Sequence, residues 1–191
     1  PVYRGLLELT GTAARIDVIS GTSAGGINGA ALALAQIHDR SLYALRDVWL
    51  DTAGLERLLR APDEKEPASL LRGDDWFLPK IRQAFDALAH GERASAQAVP
   101  VLLSLTSTLL DGHGHRRLDD FGEVVEDTMH RALWRFERGT DGDADAFADP
   151  LIVDQLAFAA RATASFPVAF EPARYDAGAA PFKDAQAPRL N

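Results

Sequence analysis

A serine flanked by glycines carries the chemistry that this sequence could perform. Residues 21–25 are Gly-Thr-Ser-Ala-Gly, so Ser23 stands in a G-x-S-x-G pattern, and Gly26 follows it. In hydrolases with this pattern, the serine lies on a sharp turn from a strand to a helix, where a strained backbone exposes its hydroxyl. We expect that Gly21 and Gly25 must both be glycine, because a Cβ on either residue would clash where the chain doubles back. The pattern predicts a nucleophilic serine.

The residues on either side of Ser23 predict the strand and the helix that such a turn needs. Residues 15–20 are a short run with β-branched side chains, typical of a buried strand, and residues 27–37 are rich in Ala and Leu, as in a helix. The first amides of that helix would point toward the serine, so the predicted donor to an oxyanion is Ala24 N–H. Gly26 is predicted to let the helix pack closely against the strand.

Two further roles of the glycine turn stay open from the residues alone. The turn could be purely structural, or it could hold a phosphate, as glycine-rich turns do. Phosphate binding is the weaker hypothesis, because residues 21–26 lack both the G-x-G-x-x-G spacing and the lysine of a P-loop. A Ser–His–Asp triad in the usual hydrolase order would need a histidine late in the chain. The last histidine is His130, which disfavours that triad.

The remaining sequence predicts helices that alternate with strands. Segment 121–138 fits both periods, and the alternation of its last six residues favours a strand. The Asp-Gly-His-Gly stretch at 111–114 predicts a turn, and residues 140–149 predict an acidic loop. Alternating elements of this kind indicate one domain with an α/β layer fold. The further predicted elements are helices over 3–9, 41–52, 55–60, 75–90 and 154–164, and a strand over 99–110.

Composition excludes several classes of function. The net charge of -8 and the pI near 5.1 argue against nucleic-acid binding, which usually needs a basic face. The absence of cysteine excludes disulfides and thiolate metal sites, and it fits a reducing compartment. No apolar run approaches the roughly 20 residues that span a bilayer, and no signal peptide opens the chain. We therefore expect a cytoplasmic protein that could contact a membrane peripherally, through an apolar rim.

The tandem His113-x-His115 is the strongest hint of a metal site, and it is a weak one. No carboxylate or third histidine stands at a spacing that would complete a ligand set. A solvated turn accounts for these residues better. We predict no metal and no cofactor.

Two segments of the sequence resemble the patatin-like phospholipases. Residues 17–30, DVISGTSAGGINGA, are similar to that family's elbow in its G-T-S-x-G-G form, and residues 160–170, ARATASFPVAF, to its A-x-x-A-T-x-A-x-P segment. Both stand in the family's order, whereas residues 40–150 resemble it mainly in their order of elements. The resemblance implies a three-layer α/β sandwich around a mainly parallel sheet. It also implies a Ser–Asp dyad with Ser23 as nucleophile, acting on lipids or other acyl esters without a metal.

Two parts of the family pattern are missing from residues 1–191. A glycine-rich oxyanion loop should precede the first helix, and an Asp-Gly-Gly or Asp-Gly-Ala motif should follow the x-P segment. We therefore expect a single patatin-like domain that is incomplete at both ends, inactive by itself, with its general base beyond Asn191. Asp176 and Asp184 are only stand-ins, because neither is followed by such glycines. A Ser–His–Asp esterase and a non-catalytic patatin-like binding module stay open as alternatives.

Overall fold

The polypeptide forms a four-stranded sheet that helices cover on one face. The structure is a computed structural model that describes residues 2–52, 54–90, 99–140, 145–174 and 189–190. A π-helical turn precedes α5, and a 3-10 turn precedes α6. In chain order the elements are α1 (Val2–Thr10), β1 (Val18–Gly21), α2 (Ala24–Ile37), α3 (Tyr43–Thr52), α4 (Leu55–Leu58), the π turn (Gly73–Phe77), α5 (Leu78–Ala89), β2 (Val101–Leu118), β3 (Val124–Arg138), the 3-10 turn (Ala146–Ala148), α6 (Ile152–Thr163) and β4 (Arg189–Leu190).

The described sheet is mixed, with strand order β1-β2-β3-β4. β1 pairs with β2 in parallel, while β2 with β3 and β3 with β4 are antiparallel. β2 and β3 form a hairpin because a short turn joins them, and the carboxylate of Asp119 closes that turn by accepting the amides of Phe121 and Glu123. The family's α/β class is thus observed, but the mainly parallel sheet that we expected is not confirmed.

One hydrophobic core lies between the sheet and a layer made of α2, α5 and α6. Alternate residues of the strands point into it, among them Ile19, Leu103 and Trp134, because side chains alternate between the two faces of a strand. On the opposite face the described strand residues are half-buried or exposed, and Val18 is 66% exposed. Within the described ranges, the third layer that we expected is therefore not confirmed.

The predicted helices lie where the sequence placed them, and segment 121–138 is largely a strand, as its alternation indicated. The turn predicted at 111–114 is wrong, because β2 runs through it to Leu118. An irregularity absorbs the Asp-Gly-His-Gly stretch: Thr108 pairs with Arg131, whereas His113 pairs with Met129. The extra residues bulge out, and Gly112 takes a positive φ of 66° there.

The tryptophans and the described phenylalanines are buried or half-buried, with two exceptions. Trp134 is buried and packs edge-to-face on Phe158, with ring centroids 5.7 Å apart. Phe121, at the tip of the β2–β3 hairpin, and Phe166, after α6, are 92% and 71% exposed. Of the helices that the structure describes, none has the length and apolar character to cross a membrane.

Candidate functional site

Ser23 lies on the sharp turn between β1 and α2, at the end of the sheet where open α/β folds bind their ligands. β1 ends at Gly21, and α2 begins at Ala24, so two residues make the whole turn. Ser23 adopts φ 56° and ψ -131°, a conformation that costs a residue with a side chain about 1–3 kcal/mol. This strained backbone is the feature that a strand–nucleophile–helix turn requires.

Gly21 is the glycine that the turn demands. A Cβ built on it would lie 2.5 Å from the carbonyl oxygen of Gly25 and 2.7 Å from the Cα of Gly26. Both are backbone atoms, so neither can rotate away. The corresponding expectation for Gly25 is wrong, because a Cβ there would meet no atom within 4 Å. Gly25 is the second residue of α2, its α-carbon faces open space, and its helical backbone carries no strain that only glycine could relieve.

Gly26 permits close packing, but against a different element from the one that the sequence predicted. A Cβ on Gly26 would lie 2.6 Å from Cγ2 of Thr163, the last residue of α6, and 3.5 Å from a methyl of Leu105 in β2. The close approach of α2 to β1 occurs instead at Gly29, whose Cβ would lie 2.9 Å from a methyl of Ile19. The missing side chain of Gly26 therefore allows the end of α6 to pack closely against the start of α2.

Hydrogen bonds fix the turn from two sides. The hydroxyl of Thr22 bonds that of Thr106 in β2 at 2.7 Å, and the amide of Ser23 donates to Oγ1 of Thr163 at 2.9 Å. The carbonyl oxygen of Ser23 accepts the amides of Gly26 and Ile27. The strained backbone of Ser23 is thus held by three different elements of the fold.

The groups that chemistry needs are left free at this turn. Ser23 is exposed, its side chain does not cap α2, and its hydroxyl has no hydrogen-bond partner among the described residues. The amides of Ala24 and Gly25 belong to the first turn of α2, where no acceptor exists within the helix, and no described residue accepts them. A hydroxyl beside two unpaired amides can accommodate attack on a carbonyl and the oxyanion that results.

No general base contacts Ser23 within the described ranges. None of the five histidines bonds its hydroxyl, although all five are described, which leaves the Ser–His–Asp alternative without geometric support. His113 and His115 lie on the β2–β3 hairpin, and no group of three or more His, Asp or Glu that could hold a metal occurs among the described residues. The stand-in bases Asp176 and Asp184 lie outside the described residues.

A buried arginine organises the segment that follows α6. Arg161 is fully buried, and it donates to the hydroxyl of Ser165 at 2.6 Å and to the carbonyl oxygen of Glu171 at 2.7 Å. Its guanidinium also pairs with the carboxylate of Asp74 at 3.1 Å and, at 3.6 Å, with that of Glu171. A Cβ at Gly73 would overlap the guanidinium, so only glycine fits there. The network fixes residues 165–171 against the π turn.

The two carboxylates around Arg161 respond in opposite directions. Burial raises the pKa of Asp74, and the attraction of Arg161 offsets this only in part. Burial acts on Glu171 as well, but hydrogen bonds from Ser69 and the Asp74 amide, together with the charge of Arg161, outweigh it and lower its pKa to about 2. Glu171 therefore keeps its negative charge to lower pH than Asp74 does, so it is the carboxylate that still faces Arg161 in acid.

This pKa predicts a loss of stability in acid that depends on Glu171. A carboxylate with a lowered folded-state pKa contributes stability above its unfolded value of 4.5, and the contribution is lost as the pH falls toward 2. Between pH 7 and pH 3 we expect the free energy of unfolding, measured by urea titration, to fall by about 2 kcal/mol through this group. Glu171→Gln should remove that part of the pH dependence. Asp74 contributes with the opposite sign, and part of its raised pKa comes from the charge of Glu171, so the difference between the two proteins reports Glu171 together with that part.

Glu126→Gln serves as the control, because Glu126 forms an exposed ion pair with Arg116. Exposed pairs contribute little to stability, so the pH dependence of that variant should match that of the unsubstituted protein. An unchanged pH dependence in Glu171→Gln would contradict the role assigned to Glu171.

Thr163 is a part of this site that the sequence did not predict. Residues 160–170 resemble a family segment, but the resemblance alone assigns the threonine no function. The contact joins residues 140 positions apart, so no local pattern could predict it. The available signal was that both family-like segments occur in one chain, which suggests that they lie together in the fold. Thr163 in the second segment does contact Ser23 and Gly26 in the first.

Comparisons with known proteins agree with the resemblance. The sequence model of the patatin-like phospholipase family matches residues 3–180. A Mycobacterium tuberculosis protein, described as an uncharacterized membrane protein, is 39% identical over 177 residues, which are 90% of this chain. The chain spans only 16% of the length of that relative. No solved structure matches the chain significantly.

Proposed function

This chain belongs to the patatin-like phospholipase family, and from that premise we propose that it is a serine-dependent lipid acyl hydrolase with Ser23 as its nucleophile. The observation that carries the proposal is the backbone of Ser23, which is strained at φ 56° while its hydroxyl stays exposed and unpaired among the described residues. Strain of this kind persists only where the surrounding structure imposes it, and it clusters at functional sites.

The proposed reaction passes through an acyl-enzyme. Ser23 Oγ attacks the carbonyl carbon of an ester and gives its proton to a carboxylate base. The oxyanion that forms accepts hydrogen bonds from the amides of Ala24 and Gly25, at the positive end of the α2 dipole. As the tetrahedral intermediate collapses, the bond to the alcohol breaks, and the alcohol takes the proton from the base. Water then releases the acid by the same steps and restores the serine.

A small apolar gap lies close to the first turn of α2, and Ile27, one helical turn after Ser23, forms part of its wall. Its free volume of about 10 Å³ is the size of a single water molecule, so the gap is too small to hold an acyl chain in this conformation. The lining residues are Ile27, Leu45, Trp49, Phe77, Ile81, Ala84 and Phe85.

We assign the role of base to an aspartate outside the described residues, which completes a Ser–Asp dyad. The candidates are an Asp-Gly-Gly or Asp-Gly-Ala segment that follows Asn191 in a longer protein and, as stand-ins, Asp176 and Asp184. General bases contribute typically about 10²–10⁴-fold to such reactions, so a serine without its base reacts slowly. The length of the relative is consistent with residues 1–191 being one part of a longer chain.

The direct test of function is to give phosphatidylcholine vesicles and p-nitrophenyl butyrate to the intact protein that contains these residues. We expect release of fatty acid and of p-nitrophenol, and labelling of Ser23 by a fluorophosphonate. Binding to vesicles without turnover or labelling would instead support the non-catalytic binding module.

Residues 1–191 alone are expected to hydrolyse p-nitrophenyl butyrate at least about 10²-fold more slowly than the intact protein, because the base would be absent. Turnover numbers of the two proteins, measured side by side, check this. Equal turnover that Asp176→Asn or Asp184→Asn abolishes would place the base within the chain and contradict the expectation.

A further inference from the structure

We propose that Thr163 is a positioning residue for the reaction of Ser23, holding the nucleophile in its strained conformation from the end of α6. The inference rests on the proposed function. The observation behind it is the bond from the amide of Ser23 to Oγ1 of Thr163, which is 2.9 Å long and partly buried, with Thr163 itself only 9% exposed. No other side chain in the described residues accepts that amide.

The bond opposes the motion that would relax Ser23. α2 is anchored in the core by its buried alanines and Leu34, so it cannot follow a change in φ at Ser23, the residue just before it. Relaxation to a negative φ must therefore rotate the peptide that joins Thr22 to Ser23. That rotation swings the Ser23 amide away from Thr163 and breaks the hydrogen bond. Thr163 thus stabilises the conformation that exposes the hydroxyl.

The same bond also determines which amides of the turn remain free to stabilise an oxyanion. Because Thr163 accepts the amide of Ser23, that amide cannot compete for the oxyanion, and the amides of Ala24 and Gly25 are the ones left unpaired. These two donors belong to the anchored first turn of α2. A turn that rotates at Ser23 therefore shifts the nucleophile relative to both donors, and errors of about 1 Å in such geometry can cost about 10²-fold in rate.

Close packing brings the threonine to this place. A Cβ on Gly26 would lie only 2.6 Å from the methyl carbon of Thr163, so a glycine at position 26 is required for α6 to come this close to the turn. Two residues earlier in α6, the fully buried Arg161 ties the helix to Asp74 and Glu171. The end of α6 is therefore fixed on both sides, and Oγ1 of Thr163 has little freedom to leave the amide.

The test compares Thr163→Val with Thr163→Ser in the intact protein. Valine keeps the shape of threonine and removes the acceptor, whereas serine keeps the acceptor and loses the methyl group. For p-nitrophenyl butyrate we expect valine to lower kcat about 10- to 100-fold with KM changed less than about threefold, and serine to restore most of kcat. The rate of fluorophosphonate labelling at Ser23 should follow kcat.

A role in packing alone would give a different pattern, with serine at least as damaging as valine and with losses that follow the melting temperature. That pattern, or an unchanged kcat in Thr163→Val, overturns the proposal. If Thr163→Val does not fold, amide hydrogen exchange in the unsubstituted protein decides: the Ser23 amide should be protected although the residue is exposed, and rapid exchange overturns the proposal. Failure of Ser23 to label in the unsubstituted protein would instead overturn the proposed function itself.

Discussion

Replacing Ser23 with alanine in the intact protein is expected to abolish both ester hydrolysis and fluorophosphonate labelling. In another serine hydrolase the loss of the nucleophile lowers kcat about 10⁶-fold, and the activity that survives comes from the oxyanion donors and from substrate binding. Here we expect a loss of at least about 10⁴-fold, measured as initial rates with p-nitrophenyl butyrate. The melting temperature should not fall, because the hydroxyl forms no bond with a described residue. The substitution also relieves little of the backbone strain at φ 56°, since alanine has a Cβ as serine does.

The matched control is Ser20→Ala, which removes another exposed serine hydroxyl three residues away, in β1. Its rates should equal those of the unsubstituted protein. Mass spectrometry of the labelled peptide then assigns the modified residue directly. Undiminished hydrolysis or labelling in Ser23→Ala would remove the serine from the mechanism and leave the strained turn as a structural feature.

The elements around this turn could be predicted from sequence because each depends on local chemistry. The β-branched run before Gly21 and the alanine-rich run after Ser23 have the composition of a strand and a helix, and both elements are found. The strand is shorter and less buried than predicted over 15–20, because β1 covers only Val18–Gly21 and only Ile19 in it is buried. The stretch at 111–114 misled because its residues favour a turn in any context, whereas here the antiparallel partner β3 continues past it. Pairing with another strand overrode the local preference, and the surplus residues became a bulge.

The parts of the site that sequence could not supply are the ones made by distant residues. Thr163 reaches the turn only because α6 packs on α2, and Arg161 is buried only because Gly73 leaves room for it. The role of Gly25 was wrong for a related reason. A pattern of glycines cannot tell in which direction each missing Cβ would point, and the three-dimensional course of the chain assigns the clash to Gly21.

That assignment predicts that Gly21→Ala damages the protein severely. The new Cβ would lie 2.5–2.7 Å from three backbone atoms of Gly25 and Gly26, so the start of α2 must shift. Overpacking of this kind costs up to about 3 kcal/mol. For a protein of this size, that corresponds to a decrease in melting temperature of about 6–12 °C. The amides of Ala24 and Gly25 move with the helix, so kcat should fall as well, by about 10²-fold or more.

Gly25→Ala is the comparison that gives this prediction its contrast, because the two variants add the same methyl group four residues apart. A Cβ at Gly25 meets open space, and alanine is favoured over glycine in a helix by about 1 kcal/mol, so its melting temperature should be unchanged or slightly higher. Calorimetry of both variants, with kcat measured for Gly21→Ala, tests the pair. If Gly25→Ala melts at the lower temperature of the two, the chain doubles back in another way, and the conformation assigned to Ser23 is wrong. If Gly21→Ala melts lower and loses turnover, then the missing Cβ at Gly21 is what allows the turn that exposes Ser23.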